Sequence, residues 1–222
     1  DWVESLLRYC LSDEKKDLTR LPLAILCDGK LHAFGFQTLF IATADEREIF
    51  KKFVHWFVEP DFQKVTELLP IQGSKLVRMR PELVVANLER VLSTTGPRDW
   101  PSSETELPNK PWLIRVLNYL TEAKLEPASL EQLKRLPLVP GSDGRLHYPA
   151  QPGTPFLPTE DEAQEAMLKI LGTAGVPIVD GAVLESCRRF AVAKAGLIPA
   201  LSGPALVLGL HERRAQLSAL TK

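Results

Sequence analysis

Apolar residues at positions 2, 3, 6, 7 and 10 (Trp2, Val3, Leu6, Leu7 and Cys10) fall at helical spacing. They predict a first helix, which the polar run at 12–17 ends. The period then changes. Residues 23–27 form a short, apolar, partly β-branched run, and residues 31–36 form a second, largely apolar run. Between them stands Asp28-Gly29. Asp-Gly between apolar runs predicts a tight hairpin whose two central residues take positive φ, which glycine accepts freely and aspartate tolerates. A strand follows at 39–42. Thr43-Ala-Asp-Glu46 has the form of a capping box, with the threonine hydroxyl and the glutamate each satisfying one orphan N–H. Ile49, Phe50, Phe53, Val54 and Phe57 give that helix its apolar face, and Pro60 closes the segment. Residues 65–69 predict a helical turn, and 81–92 a helix with Pro81 in its favoured first turn.

Residues 93–111 hold four prolines, one glycine and several Ser/Thr, and carry no periodicity. Beyond them the pattern restarts. Trp112, Leu113, Val116, Leu117 and Leu120 give a helical face, and Leu130 and Leu133 a short second one. LPLAILCDGKLH (21–32) then recurs as LPLVPGSDGRLH (136–147), with seven of twelve positions identical at a spacing of 115. Phe156 and Leu157 match Phe40 and Ile41. Thr159-Glu-Asp-Glu162 is a second capping box, ahead of a helix at 163–171. The run 175–179 (GVPIV) predicts a buried strand, and 181–195 and 203–220 predict closing helices. The spacing exceeds the 20–50-residue period of solenoid repeats. The expected fold class is therefore α/β (α+β): two copies of a helix–hairpin–strand–helix unit, with small, mostly antiparallel or mixed sheets packed by helices. The expected domains are a first unit at 1–95, a Pro-rich linker at 96–111 and a second unit at 112–222.

Composition narrows the function classes. The 222 residues are 45% hydrophobic and 25% charged, ordinary globular values that allow a sizeable core. A net charge of −1 gives no electrostatic footprint for nucleic acid or an anionic membrane, so neither is an expected partner. Cys10, Cys27 and Cys187 are odd in number and lack CxxC spacing. They argue against a disulfide framework or a zinc site and for a reducing compartment. The most apolar stretch, 191–210, is interrupted by Lys194, Gly196, Pro199, Gly203 and Pro204. The chain opens on Asp1, which reads as a piece cut from something longer.

Candidate chemistry is sparse. Asp28 and Asp143 read as turn residues rather than catalytic acids. His32 and His147 recur at the repeat spacing, but neither stands in a motif that supplies a nucleophile and an orienting acid, so both read as strand histidines. His55 and His211 stand alone. Cys10 and Cys187 fall on apolar helical faces and read as buried, inert thiols. Lys51-Lys52 and Arg213-Arg214 read as solvated faces, and Lys75, Arg78 and Arg80 around Gly73 as a slightly denser basic stretch. Phe53, Trp56 and Phe57 read as core. No GxGxxG, P-loop, nucleophile elbow or HExxH occurs. The expected site list is empty: no catalytic, cofactor or metal residue.

The order of these islands resembles the internal repeats of sacsin and sacsin-like proteins. It runs from Trp2-Val3-Glu-Ser-Leu6-Leu7-Arg-Tyr9-Cys10-Leu11-Ser12-Asp13 through Leu18-x-x-Leu21-Pro22-Leu23 to Asp28-Gly29-x-Leu31. The second copy, the pieces after each hairpin and the stretch from Leu171-Gly172 to Val179-Asp180 match as well. The resemblance covers about half of the residues. It implies repeats that alternate with GHKL-type ATPase domains in chaperone-like protein quality control. The chain lacks the GHKL nucleotide motifs, so the implied piece lies outside the ATPase domain. The expectation is a non-catalytic, cytoplasmic scaffold or protein-binding module whose partners are protein clients or co-chaperones. Two alternatives stay open: a hydrolase-type enzyme domain with an unfamiliar motif, and an interaction domain of a signalling or immunity protein.

Overall fold

The computed structural model describes residues 2, 5, 6, 9, 18–63, 75–92, 98–100, 106–158 and 175–200. It is a mixed α/β fold of short strands and helices. The chain divides into two compact units, Asp1–Arg80 and Pro81–Lys222.

In the first unit Trp2, Ser5, Leu6 and Tyr9 are helical, as the spacing predicts. Trp2 and Tyr9, however, are 74% and 69% exposed, so Trp2 does not join a buried face. The 3-10 turn Leu18–Arg20 leads into β1 (Ala24–Ile25), which pairs antiparallel with β2 (Leu31–His32). The hairpin stands where Asp28-Gly29 puts it, but the turn is of another kind. The Gly29 N–H donates to the Leu26 carbonyl (2.8 Å), and the Leu26 N–H to the Lys30 carbonyl (3.0 Å). Gly29 has φ +77°, whereas Asp28 is not among the residues of positive φ. This is the three-residue loop in which a left-handed glycine follows an ordinary turn and makes a bulge. Asp28 serves it with a carboxylate, which accepts from the Lys30 N–H at 3.1 Å.

β3 (Leu39–Ile41) follows. The capping box then starts α1 (Ala44–Ile49): the Thr43 hydroxyl accepts from the Glu46 N–H (3.3 Å), and Glu46 accepts from the Thr43 N–H (2.7 Å). The helix does not run on to Phe57. It stops at Phe50, tightens into the 3-10 segment Lys51–Trp56 with a kink at Phe53, and returns as extended chain at Phe57–Val58. Aromatic packing accompanies the break: Phe53 stacks on Trp56 at 4.2 Å, and Phe57 comes back beside Phe40. Val58 bridges Leu26 antiparallel and Phe57 bridges Phe40 in parallel, so residues 57–58 lie between β1 and β3. β4 (Leu76–Arg78) pairs in parallel with β3. Side chains alternate across these strands. Leu39 and Val58 join Ala24, Leu26, Phe34 and Phe62 in one buried cluster, while Phe40 and Phe57 meet Phe50 and Trp56. The helical turn expected at 65–69 lies outside the described residues.

The second unit begins with α2 (Pro81–Leu88), which buries Val84, Val85 and Leu88. Within the stretch expected to be a Pro-rich linker, Arg98–Asp99 forms β5. α3 (Lys110–Glu122) buries Trp112, Leu113, Val116, Leu117 and Leu120, the predicted face, and is capped by the Asn109 carboxamide. α4 (Pro127–Leu133) packs on α2. β6 (Val139–Pro140) pairs antiparallel with β7 (Arg145–His147), whose other edge takes β5. α5 (Leu184–Ala193), entered through the 3-10 turn Gly181–Val183, packs on α3. The Lys194 ammonium donates to the Ala123 carbonyl at 2.7 Å, near the C-terminus of α3. The second capping box, its helix at 163–171 and the helix at 203–220 lie outside the described residues.

The two units share one hydrogen-bond pattern. Ala24↔His32 and Ile25↔Leu31 become Val139↔His147 and Pro140↔Leu146, each 115 positions on. The glycine turns match: Gly144 has φ +74°, and its N–H donates to the Gly141 carbonyl at 3.1 Å. The bridges Leu26↔Val58 and Phe40↔Phe57 become Gly141↔Val179 and Phe156↔Ile178. The pair Ile41↔Arg78 becomes Leu157↔Ala200. Sheet order in the first unit is β2, β1, 57–58, β3, β4. The second unit repeats that order and adds β5 at the β7 edge.

Candidate functional site

The chemistry-bearing residues gather at the hairpin tip of the second unit. His147 lies at the end of β7, and the tight turn carries Asp143 back over it. The His147 Nε2 lies 3.0 Å and 3.1 Å from the two Asp143 carboxylate oxygens. No recognised motif in the sequence gives His147 an acidic partner. The pair forms across a bulged turn, four residues apart, and matches no motif. Gly141 makes room for it: a Cβ there would run into the Asp143 carboxylate and come within 2.8 Å of the His147 Nε2. In the first unit the corresponding position is Leu26, and the pair is absent. There Asp28 faces the Lys30 ammonium at 3.6 Å, and the His32 Nδ1 faces the Gln37 carboxamide at 3.3 Å. Backbone and side-chain hydrogen bonds from Lys30 hold the Asp28 carboxyl below the usual carboxylate range. Ser142, next to Asp143, has its hydroxyl oxygen 3.4 Å from the Ile178 N–H, which donates to it.

A second constellation borders the same hairpin. The Trp100 N–H donates to the Gly144 carbonyl (2.7 Å), and its indole donates to the Asp180 carboxylate (2.9 Å). The other Asp180 oxygen accepts from the Ala182 N–H at 2.8 Å and caps the turn that enters α5. In the first unit Glu59 holds the equivalent place and accepts from the Phe62 N–H at 2.9 Å.

The remaining singled-out residues stand apart. Cys187 is fully buried on α5, and burial pushes its thiol up to about 12, with the Asp180 charge adding to the shift. Partial burial raises the Cys27 thiol too, and its S–H faces the Val58 carbonyl at 3.5 Å. Neither thiol is primed as a nucleophile. His55 lies edge-on to Phe53 and Trp56. Lys51, Lys52, Lys75, Arg78 and Arg80 are exposed. Cys10, Gly73, His211, Arg213 and Arg214 lie outside the described residues. Among the described residues no group of three His, Cys, Asp or Glu is placed to hold a metal ion, and no helix is long and apolar enough to cross a membrane. No protein-family model, no curated protein and no solved structure matches the chain.

Proposed function

We propose that the chain is a non-catalytic segment of a large sacsin-like protein. In this reading it is built by duplication of one unit and acts as a scaffold or protein-binding module in chaperone-type quality control in the cytoplasm. The observation that carries the reading is the recurrence of one strand order, one register and one glycine-bulged turn in two units of a single chain. Duplication of a framework extends surface, and the chemistry it multiplies here is structural: turn glycines, acidic helix caps and short ladders. The partners are protein clients or co-chaperones. Titration of the chain with magnesium-ATP, alongside a phosphate-release assay, tests the non-catalytic part. The expected result is no binding and no turnover. Micromolar binding abolished by mutating one compact residue cluster overturns it.

A hydrolase-type reading has one observation in its favour, the Asp143–His147 pair, which has the acid–imidazole half of a nucleophile-activating array. A panel of ester substrates tests it. Turnover lost in His147→Ala and retained in His32→Ala would carry this second reading.

A further inference from the structure

The two units differ at one edge. In the second unit β5 lies along β7, with Arg98 opposite Leu146 and Asp99 opposite Arg145. Trp100 then closes the row, its N–H on the Gly144 carbonyl and its indole on Asp180. In the first unit the equivalent positions are Leu31, Lys30, Gly29 and Glu59. Among the described residues, no strand pairs with the outer edge of β2. Exposure records the difference: Leu146 is fully buried, whereas Leu31 is 58% exposed.

We propose that the β2 edge of the first unit is a strand-acceptor site for an extended peptide carrying an acidic residue and then a tryptophan, the chemistry of Asp99-Trp100. Strand addition supplies main-chain hydrogen bonds to an edge that otherwise presents unpaired N–H and C=O groups. Lys30 stands exposed where the acidic residue would lie, as Arg145 stands opposite Asp99. The carbonyl of Gly29 corresponds to the acceptor of the Trp100 N–H, and Glu59 to the acceptor of its indole. A tryptophan adds large apolar area with one donor at its edge, which suits a site that is part apolar and part carboxylate. The inference deepens the protein-binding reading above and rests on it for its biological sense. An ATP-binding result would sink that reading and leave this edge untouched.

The probe is a fluorescent synthetic peptide of residues 95–103, added to the whole 222-residue chain. Saturable anisotropy is expected, weakened at least roughly tenfold by alanine at the peptide's tryptophan and by Leu31→Lys in the chain. Leu31 is exposed, so the variant leaves the core intact. Amide exchange on the unsubstituted chain should slow at residues 29–32 on adding peptide. No slowing at 29–32 under saturating peptide, or binding indifferent to the tryptophan, overturns the proposal. So does self-association of the chain that Leu31→Lys abolishes and excess peptide leaves unchanged, which would assign the edge to a second copy.

Discussion

Gly29 and Gly144 carry the same burden in both hairpins. Each has a positive φ, and a Cβ added at either would meet open space or ordinary contact, since the nearest atom to Gly144 is the Trp100 carbonyl oxygen at 3.6 Å. The cost of substitution is therefore backbone strain and not collision. Gly29→Val and Gly144→Val should each destabilise the chain by about 1–3 kcal/mol, because a β-branched residue reaches that region only under strain. Urea melts decide it, and an unchanged midpoint in both would remove the bulged-turn assignment. Cys187 gives a second residue-scale test. Its thiol ionises near 9.0 in the unfolded chain and at about 12 in the folded one. Below pH 9 both states keep the proton and the contribution is whole. As pH rises from 9 towards 12 only the unfolded state releases it, so folding loses up to about 1.4 kcal/mol per pH unit from this group. Cys27 shifts in the same direction. Cys187→Ala should lose less stability between pH 9 and 11 than the unsubstituted chain. Equal slopes would mean that the thiol is not sealed from solvent.

At the scale of elements, β5 tests how a two-residue strand holds its place. Trp100 is 4% exposed and spans from the Gly144 carbonyl to Asp180, so it ties the edge strand to the cap of α5. Trp100→Phe keeps most of the apolar volume and removes the indole donor. It should cost about 1–3 kcal/mol, as expected for a hydrogen bond to a carboxylate. Trp100→Ala should cost about 3–5 kcal/mol. Equal losses in the two would show that the hydrogen bond, not the packing, is what matters. β5 also marks the limit of what periodicity reveals. Hairpin positions, the Thr43 box and the buried face of α3 were legible, because Asp-Gly, Thr-x-x-Glu and a 3.6-residue repeat are local signals. Arg98-Asp99 is polar, two residues long and set among prolines, and its strand state comes entirely from the edge it joins. The helix expected to run to Phe57 failed for a related reason. Phe50, Phe53 and Phe57 satisfy helical spacing, yet pairing of Phe57 and Val58 within the sheet pulls the chain straight. Of the candidate site, the turn acids and the recurrence of histidine were legible. The Asp143–His147 pair was not, because it depends on the glycine at 141, whose counterpart is Leu26.

At the scale of the whole molecule, the chain parts at Arg80–Pro81, ahead of the proline-rich stretch. The reason lies in α2. It buries Val84, Val85 and Leu88 and packs on α4, an element of the second unit. Burying an aliphatic side chain contributes about 1.5–3 kcal/mol, so three of them amount to a large part of the roughly 5–15 kcal/mol that holds a domain together. Fragments cut on either side of α2 should therefore behave differently. Residues 81–222 should unfold cooperatively, while residues 96–222, stripped of α2, should melt well below it or expose apolar surface that binds a hydrophobic dye. Circular dichroism melts of the two fragments make the comparison. If residues 96–222 match residues 81–222 in midpoint and cooperativity, α2 contributes nothing to the second unit and the boundary belongs near residue 95.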